Sequence, residues 1–492
     1  MLPPTQAEPT ATNFDPHARS ISPRWALAAL SLSMLLASLG TSIANVALPT
    51  LAETFAASFQ AVQWVVLAYL LALTSLVVSA GRLGDLLGRR RLLLAGIALF
   101  TAASILCGVA PTLGFLLAGR VAQGLGAAVL MAISLALVAE VAPKERFGGA
   151  MGLLGTMSAI GTALGPSLGG ALVAGPGWRA IFLLQVALGG LTWLLARRHL
   201  PVDAARAGVD RPGLDLPGTV LLALALAAYA LAMTLGRGRF GLINLALLLA
   251  ATGFTGAFVR VEARSASPLV RLTIFHDKAL RASLVASGLV STVIMATMVV
   301  GPFYLSRTLR LDAGIVGLVL SIGPFVAAVT AVPAGRLADR FGARRMTGAG
   351  LVGMAAGSGL LSLLPAGLGI PGYIAAIVVV TAGYALFQTA NNTSVMTDLR
   401  PDQRGVVSGL ANLSRNLGLI TGASVLGAVF ALASGTRDIT TAPPEAIAAG
   451  MRVTFAVAAA LIFVAIGTLA GATERPTRTA VPLGAPGTSS GT

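Results

Sequence analysis

The sequence predicts an all-α polytopic membrane protein built from two six-helix bundles plus an inserted two-helix hairpin, with roughly 14 transmembrane helices. Three observations predict it. First, the 492 residues are 56% hydrophobic and only 11% charged, with mean hydropathy +0.85, which is too little polar surface to coat a soluble globule of that size. Second, the apolar residues gather in runs long enough to cross a bilayer. Third, a charged phrase, GRLGDLLGRRR at 81–91, recurs as GRLADRFGARR at 335–345.

Only helices or closed barrels satisfy their backbone polar groups in lipid, and these runs are too long for barrel strands. They lie at about 25–48, 61–80, 92–110, 113–139, 147–173, 179–196, 216–235, 241–260, 280–305, 314–334, 346–364, 371–395, 405–432 and 452–472. Residues 1–23 hold several prolines and no apolar core, so they read as a disordered cytosolic tail rather than a cleaved signal. Residues 474–492 read the same way. The N-terminal six-helix bundle covers 24–198 and the C-terminal one 280–473. Between them, 199–279 holds the inserted hairpin, flanked by the longest cytoplasmic connections at 197–215 and 261–279. Its helices carry few polar residues beyond Thr234 and Asn244 and read as lipid-facing filler.

Orientation follows from charge. With the N-terminus inside, about 25 of the Lys and Arg fall in cytoplasmic segments against about 7 outside. Arg82, Arg89, Arg90, Arg91, Arg336, Arg340, Arg344 and Arg345 are among the inside set. This asymmetry accounts for the net charge of +16, so no nucleic-acid partner is expected. An even helix count puts both termini in the cytosol of a multi-pass protein of the cytoplasmic (inner) membrane. The single cysteine, Cys107, lies in an apolar run, and His17, His199 and His276 fall in tails or loops. No metal and no cofactor are expected.

Without the hairpin, each set of six helices carries the charged phrase between its second and third helices, on the cytoplasmic face. That is an internal repeat of parallel halves, a transporter architecture. In the first copy, Gly81, Gly84 and Gly88 permit a sharp turn and close helix approach. Asp85 sits where it can meet helix-terminal amides and the neighbouring Arg89 and Arg90. Gly335, Asp339 and Gly342 stand in register in the second copy. A charged cluster that closes in one conformation and breaks in another is a latch. The plainer reading is a basic loop that enforces topology.

The phrase resembles the cytoplasmic loop signature of the major facilitator superfamily. RVAQGLGAA, Arg120–Ala128, resembles its fourth-helix signature. GTALGPSLGG, with Gly161, Gly165, Pro166, Gly169 and Gly170, resembles the fifth-helix signature associated with exporters, and GWRAIFLLQVALG from Gly177 resembles the start of the sixth helix. Over about residues 25–472 the chain is similar to the fourteen-helix drug:proton antiporter group, EmrB/QacA type. The resemblance implies the major facilitator fold and secondary active export of a small organic molecule or drug by alternating access and proton antiport, with multidrug efflux and drug resistance as the outcome. One departure stands out. Members of the group commonly place an aspartate second in the outer part of helix one, whereas LGTSIANVALP, Leu39–Pro49, has Gly40 there, so that carboxylate's coupling role does not carry over.

Two charges fall within spans. Arg120 lies about seven residues into its helix, roughly 10 Å deep, and Arg415 about ten residues into another. An intramembrane charge faces the bundle interior, a partner or an aqueous cavity; each arginine also has a structural reading, with helix carbonyls as acceptors for Arg120 and with Asn412 and Asn416 flanking Arg415. Gln388, Asn391 and Asn392 share one helix face and are expected to line a substrate cavity, together with Ser42, Asn45, Trp64, Tyr69, Gln123, Asn412 and Asn416. Met295, Met298, Phe303 and Tyr304 are further candidates, with a packing reading beside the functional one. No carboxylate falls centrally in any span, and the acids placed for proton coupling are Asp85 and Glu140 at the inner surface. A cavity with two arginines and no acid favours neutral, zwitterionic or anionic small molecules. Facilitated diffusion or uptake symport on the same fold is the alternative. An enzyme is not expected, since no nucleophile–base pair or nucleotide loop is present. The expected state is a monomer in the lipid bilayer, with protons as the coupled ion.

Overall fold

The computed structural model describes residues 23–142, 147–201, 215–235, 241–265, 277–397, 401–435, 439 and 442–472. The tails expected at 1–23 and 474–492 lie outside these residues except for Pro23, as do 202–214 and 266–276 of the long connections. Among the described residues every regular element is a helix. The first group is α1 (Pro23–Ser42), α2 (Leu48–Thr54), α3 (Phe59–Leu87), α4 (Arg89–Gly108), α5 (Leu113–Val141), α6 (Phe147–Ala174) and α7 (Arg179–His199). The hairpin is α8 (Leu216–Thr234) and α9 (Leu242–Arg264). The second group is α10 (Lys278–Phe303), α11 (Ala313–Phe341), α12 (Ala343–Ser362), α13 (Gly369–Thr397), α14 (Pro401–Thr421), α15 (Gly427–Ala433) and α16 (Pro444–Gly471). Widened π turns continue α10 through Tyr304–Thr308 and join α14 to α15 through Gly422–Leu426.

Helix starts follow capping chemistry. Ser58, Thr112 and Asp312 accept hydrogen bonds from the backbone N–H of Ala61, Phe115 and Ile315, relieving donors that a first helical turn leaves unpaired. The span expected at 25–48 is not one helix. It stops at Ser42, passes through a turn at 43–47 and resumes as the short α2, where Pro49 fits the first turn because its missing N–H is not needed there.

Among the described residues, thirteen helices are long and apolar enough to cross a membrane. The run expected at 346–364 corresponds to α12, which falls short of that measure because it is rich in glycine and begins with Arg344 and Arg345. Its composition follows from its packing. A Cβ on Gly350 would lie 2.5 Å from the Phe387 backbone nitrogen, and one on Gly357 would lie 2.6 Å from that of Val380, so α12 and α13 touch backbone to backbone.

The repeated phrase folds the same way twice. Gly88 has φ 94° and ψ 127°, and Gly342 has φ 89° and ψ 132°, a region that residues with a Cβ rarely adopt. Each makes a one-residue turn, α3 to α4 and α11 to α12. The turning role expected of Gly81 and Gly84 therefore belongs to Gly88 alone; Gly81 is helical with open space beside it, and Gly84 packs on Ile133.

The two groups meet along α6 and α11. Gly161, Gly165 and Gly169 of α6 face α1, where any side chain would strike Leu35, Ser42 or Ile43. A Cβ on Gly170 would lie 2.7 Å from the Ala313 carbonyl oxygen and 2.7 Å from Gly317 Cα, and one on Gly317 would lie 2.5 Å from the Pro166 carbonyl oxygen. The signature residues are thus the contact surface for a neighbour within the first group and for the second group.

The hairpin corrects an expectation. Trp64 Nε1 on α3 donates to Thr234 Oγ1 of α8 at 3.0 Å, and Tyr229 of α8 donates to Thr421 on α14 at 3.3 Å. Ser79 and Thr219 share a further bond of 2.5 Å. Helix α8 is therefore bonded to both groups rather than being lipid-facing filler, while α9 presents Leu242, Ile243, Leu245 and Leu249 outward. Asn244 closes the hairpin by donating to the carbonyls of Ala232 and Leu235, each at 2.7 Å.

Gly317→Val is expected to separate α6 from α11, with an overpacking cost of about 1–3 kcal/mol. Spin labels at the ends of α6 and α11 nearest Gly170 and Gly317 should report a longer distance than in the parent. Gly190→Val, at a helical position with open space, should leave that distance unchanged.

Candidate functional site

Arg120 is 0% exposed and lies at the meeting point of α1, α3 and α5. Its Nε donates to the Val65 carbonyl at 2.8 Å, Nη2 to the Gly40 carbonyl at 2.9 Å and Nη1 to Gln123 Oε1 at 2.5 Å. The guanidinium sits 4.3 Å from the centre of the Tyr69 ring, an attractive cation–π geometry. Gln123 Nε2 extends the network to Ser104 at 2.7 Å and Gln185 at 2.5 Å. The charge is fully partnered inside the protein.

A second polar region is a cavity of about 340 Å³ between the two groups, lined by α1, α3, α5 and α6 on one side and by α10, α11, α13 and α14 on the other. Pockets of about 300–1,000 Å³ suit small-molecule ligands. Hydroxyls and amides supply most of its polarity: Ser38, Thr41, Ser42, Asn45, Ser158 and Thr162 from the first group, and Ser291, Thr297, Tyr373, Thr381, Tyr384 and Asn416 from the second. Met295, Met298, Leu320 and Ile377 supply apolar walls. Among the described residues, Arg415 is the one charged lining residue.

The cavity is closed at one end and open at the other. At the end away from the repeated phrase, Phe59 meets Phe303 and Phe430 edge to face with ring centres 4.8 Å and 5.4 Å apart, all three buried. Beside them Gln63 Nε2 donates to the Ala423 carbonyl at 2.9 Å, and at the rim Arg307 pairs with Glu53 at 2.6 Å. Each of these contacts joins the two groups. Toward the phrase end, Gly155, Ala159 and Thr162 of α6 and Ala328 and Ala331 of α11 line the cavity and are exposed.

At the phrase itself Arg89 binds Asp85 Oδ1 through Nη2 at 2.8 Å and Nε at 3.0 Å, and Glu140 Oε1 through Nη1 at 2.8 Å. Arg90 donates to the Arg197 carbonyl at 2.6 Å. The cluster thus ties α3, α4, α5 and α7 together. In the second copy Asp339 is exposed and makes no ion pair among the described residues.

This architecture of paired groups around a shared cavity has a sequence counterpart: the chain matches the family described as Major Facilitator Superfamily over residues 30–423 and again over 283–489. The chain belongs to the major facilitator superfamily. It is 32% identical over 402 residues to the uncharacterized transporter YebQ of Escherichia coli (strain K12), covering 82% of this chain and 88% of that one. It is 33% identical over 416 residues to the multidrug resistance protein Stp of Mycobacterium tuberculosis (strain CDC 1551 / Oshkosh), covering 82% and 75%. A bacterial homologue of the human lysosomal transporter Spinster, solved inward-facing and unoccupied, shares the fold with TM-score 0.65 at 17% identity, covering 92% of this chain and 99% of that one. This major facilitator protein is accordingly a multi-pass membrane transporter of small molecules rather than an enzyme.

Within this superfamily member, the expected cavity residues divide. Ser42, Asn45, Arg415 and Asn416 line the cavity, as do Met295 and Met298. Tyr69 and Gln123 belong instead to the Arg120 network, and Trp64 faces the hairpin. Gln388, Asn391 and Asn392 share a face of α13 but lie beyond the lining residue Tyr384, toward the phrase end. There Asn391 accepts from Ser283 at 2.6 Å and Asn392 is exposed. Asn412 is half-buried one turn before Asn416, outside the lining. The cavity therefore has one arginine rather than two, because Arg120 is consumed by carbonyl and amide acceptors. Phe303 belongs to the closed end, and Tyr304 stacks on Tyr373 at 5.8 Å. Sequence reasoning missed Tyr373 and Tyr384, whose signal was an aromatic hydroxyl inside an apolar run.

Gly40 has a physical reason. A Cβ there would lie 2.8 Å from the Tyr69 hydroxyl and 3.1 Å from its ring, while that hydroxyl donates to the Ala37 carbonyl at 2.6 Å. Gly40→Asp is therefore expected to lower the melting temperature of the purified protein, and adding Tyr69→Ala should recover part of the loss by opening space. Arg120→Ala should destabilise more, since each buried acceptor left unpaired costs about 1–3 kcal/mol; Arg120→Lys, which keeps charge without the planar fork, should fall between. Unchanged melting of Arg120→Ala would show that the network carries no stability.

Proposed function

We propose that this transporter exports small organic molecules across the cytoplasmic membrane by alternating access, as a member of the fourteen-helix drug:proton antiporter group, with the bundles 24–198 and 280–473 rocking about the cavity between them. The observation that carries the reading is that cavity: both halves line it, an aromatic cluster closes one end, and the other end is open. The excess of Lys and Arg supports a cytoplasmic phrase end, and on that reading both termini are cytosolic and the cavity faces inward. The exporter-type glycine face of α6 and the similarity to Stp, which bears the name multidrug resistance protein, both favour outward transport.

Proton antiport fits the Arg89 cluster. With the cavity open inward, the Asp85 and Glu140 side chains are 40% and 35% exposed and can exchange protons with the cytosol. Protonating either carboxylate removes one of the two charges that hold Arg89, so latch opening and proton binding become one event. The second copy offers no equivalent pair among the described residues, which makes the two loops unequal.

In proteoliposomes, an imposed pH gradient should drive substrate flux through the parent, and Asp85→Asn or Glu140→Gln should abolish that dependence while the protein still folds. Asp339→Asn should have the smaller effect. Flux through the parent that ignores the pH gradient would end the antiport reading and leave facilitated diffusion on the same fold.

A further inference from the structure

We infer that the cavity is built for an organic anion, an apolar body bearing one carboxylate or sulfonate, with Arg415 as its fixed counter-ion. The inference rests on reading the cavity as the transport site and deepens it to a substrate class.

Among the described residues, Arg415 is the one charged side chain in the lining, and no Asp, Glu, Lys or His joins it. Its Nε is buried without a hydrogen-bond partner, and among the described residues the side chain makes no ion pair. Arg120 is the internal control for what this protein does with a structural guanidinium: three hydrogen bonds and an aromatic face. Arg415 has none of these. The guanidinium stays charged and half-buried on the cavity wall, so what occupies the cavity, water or ligand, supplies its acceptors. Two lining residues carry orphaned polar atoms as well, the Tyr373 hydroxyl and Asn45 Oδ1. Buried polar atoms without partners mark places where water or ligand completes the set.

Shape and chemistry then narrow the ligand. Arg pairs best with planar, two-oxygen acceptors, which a carboxylate or one edge of a sulfonate provides. Ile294, Met298, Leu320, Ile377 and Leu419 surround the remaining space with apolar surface, and about 340 Å³ admits a fused two- or three-ring body. An organic cation would meet Arg415 with repulsion and find no carboxylate to offset it. The charge sign also has an energetic consequence. Carrying an anion out of a cell moves negative charge away from a negative interior, so the membrane potential itself drives export, whether or not a proton returns in the same cycle.

The test uses matched probes in proteoliposomes containing the full chain: naphthalene, quinoline and anthraquinone ring systems, each as sulfonate or carboxylate, as primary amide and as ammonium. The anionic members should be transported about tenfold or more above their neutral and cationic partners, and their flux should rise when a potassium diffusion potential makes the receiving side positive. Arg415→Gln should lose about tenfold or more of anion flux with an unchanged melting temperature, because no hydrogen bond or ion pair among the described residues is removed; Arg415→Lys should retain part of it. Transport of amides or ammonium compounds with anions excluded would overturn the inference and leave the export reading intact. Anion flux that is indifferent to potential, or undiminished in Arg415→Gln, would also overturn it. Failure of every probe to move in either direction would overturn the inference and the transport reading together.

Discussion

A guanidinium inside the hydrocarbon layer must find its acceptors within the protein, and the first half of this transporter is organised around that constraint. Arg120 draws on a carbonyl of α1, a carbonyl of α3 and an amide of α5, and through Gln123 it reaches Ser104 on α4 and Gln185 on α7. Five helices therefore share one polar node. Displacing any of them strands a buried donor or acceptor, which is far costlier in lipid than in water. The second half is held differently. Its helices close on small residues: Thr292 donates to the Gly418 carbonyl at 3.1 Å, Ser414 to the Leu284 carbonyl at 2.5 Å, and α12 lies on α13 through glycines. The two solutions hold helices together differently, one by polar satisfaction and the other by backbone contact.

The proposed rocking of the two halves calls for a seam that tolerates rotation, and α6 against α11 has the composition for it. Where Gly170, Gly317 and the Pro166 carbonyl meet, there are no side chains to interlock, so a small change of angle does not require rotamers to repack. Pro166 also removes one backbone hydrogen bond from α6. Away from this seam the contacts are the opposite in kind. The Phe59, Phe303 and Phe430 cluster and the Glu53–Arg307 pair are side-chain contacts between halves that can separate as units. Helix α8, bonded to Trp64 in one half and to Thr421 in the other, spans the same divide, so the proposed rocking requires it to slide or release.

The fold was legible because bilayers impose length, hydropathy and charge asymmetry on the chain itself, and because the repeated phrase reports the duplication directly. Recurrence alone did not single out the turn residues: Gly81 and Gly335 recur as well and are helical, while Gly88 and Gly342 carry the positive φ. The site was much less legible. Arg120 and Arg415 look alike in sequence, each an arginine deep in an apolar helix. What separates them is whether neighbouring helices turn carbonyls toward the side chain, and a carbonyl leaves no mark on the sequence. The cavity's serines and threonines were hidden for a related reason. Several of them, Thr41 and Ser291 among them, already bond a carbonyl of their own helix, which satisfies a hydroxyl equally well in a core, in lipid or in a cavity. Gln388, Asn391 and Asn392 misled in the other direction, since periodicity gives the face of a helix but not the depth at which a cavity ends.

The absence of an acid at Gly40 and the immobility of Arg120 are two aspects of one arrangement. A carboxylate on that turn of α1 would stand beside the guanidinium, and its protonation would alter how strongly Arg120 is held, making the node responsive to protons. Here Tyr69 fills that volume, its hydroxyl bonded to Ala37 and its ring stacked under the guanidinium. No carboxylate joins this node among the described residues; its acceptors are carbonyls and an amide, which suits a scaffold. On the proposed cycle, charge that can respond stands in two other places. One is the Asp85–Arg89–Glu140 cluster at the basic surface, where carboxylates meet water. The other is the unpartnered Arg415 in the cavity, where the responding charge is the ligand's own. On the proposed antiport reading, a first helix with glycine at position 40 leaves the electrostatic work of the cycle to these two places while the fold stays the same.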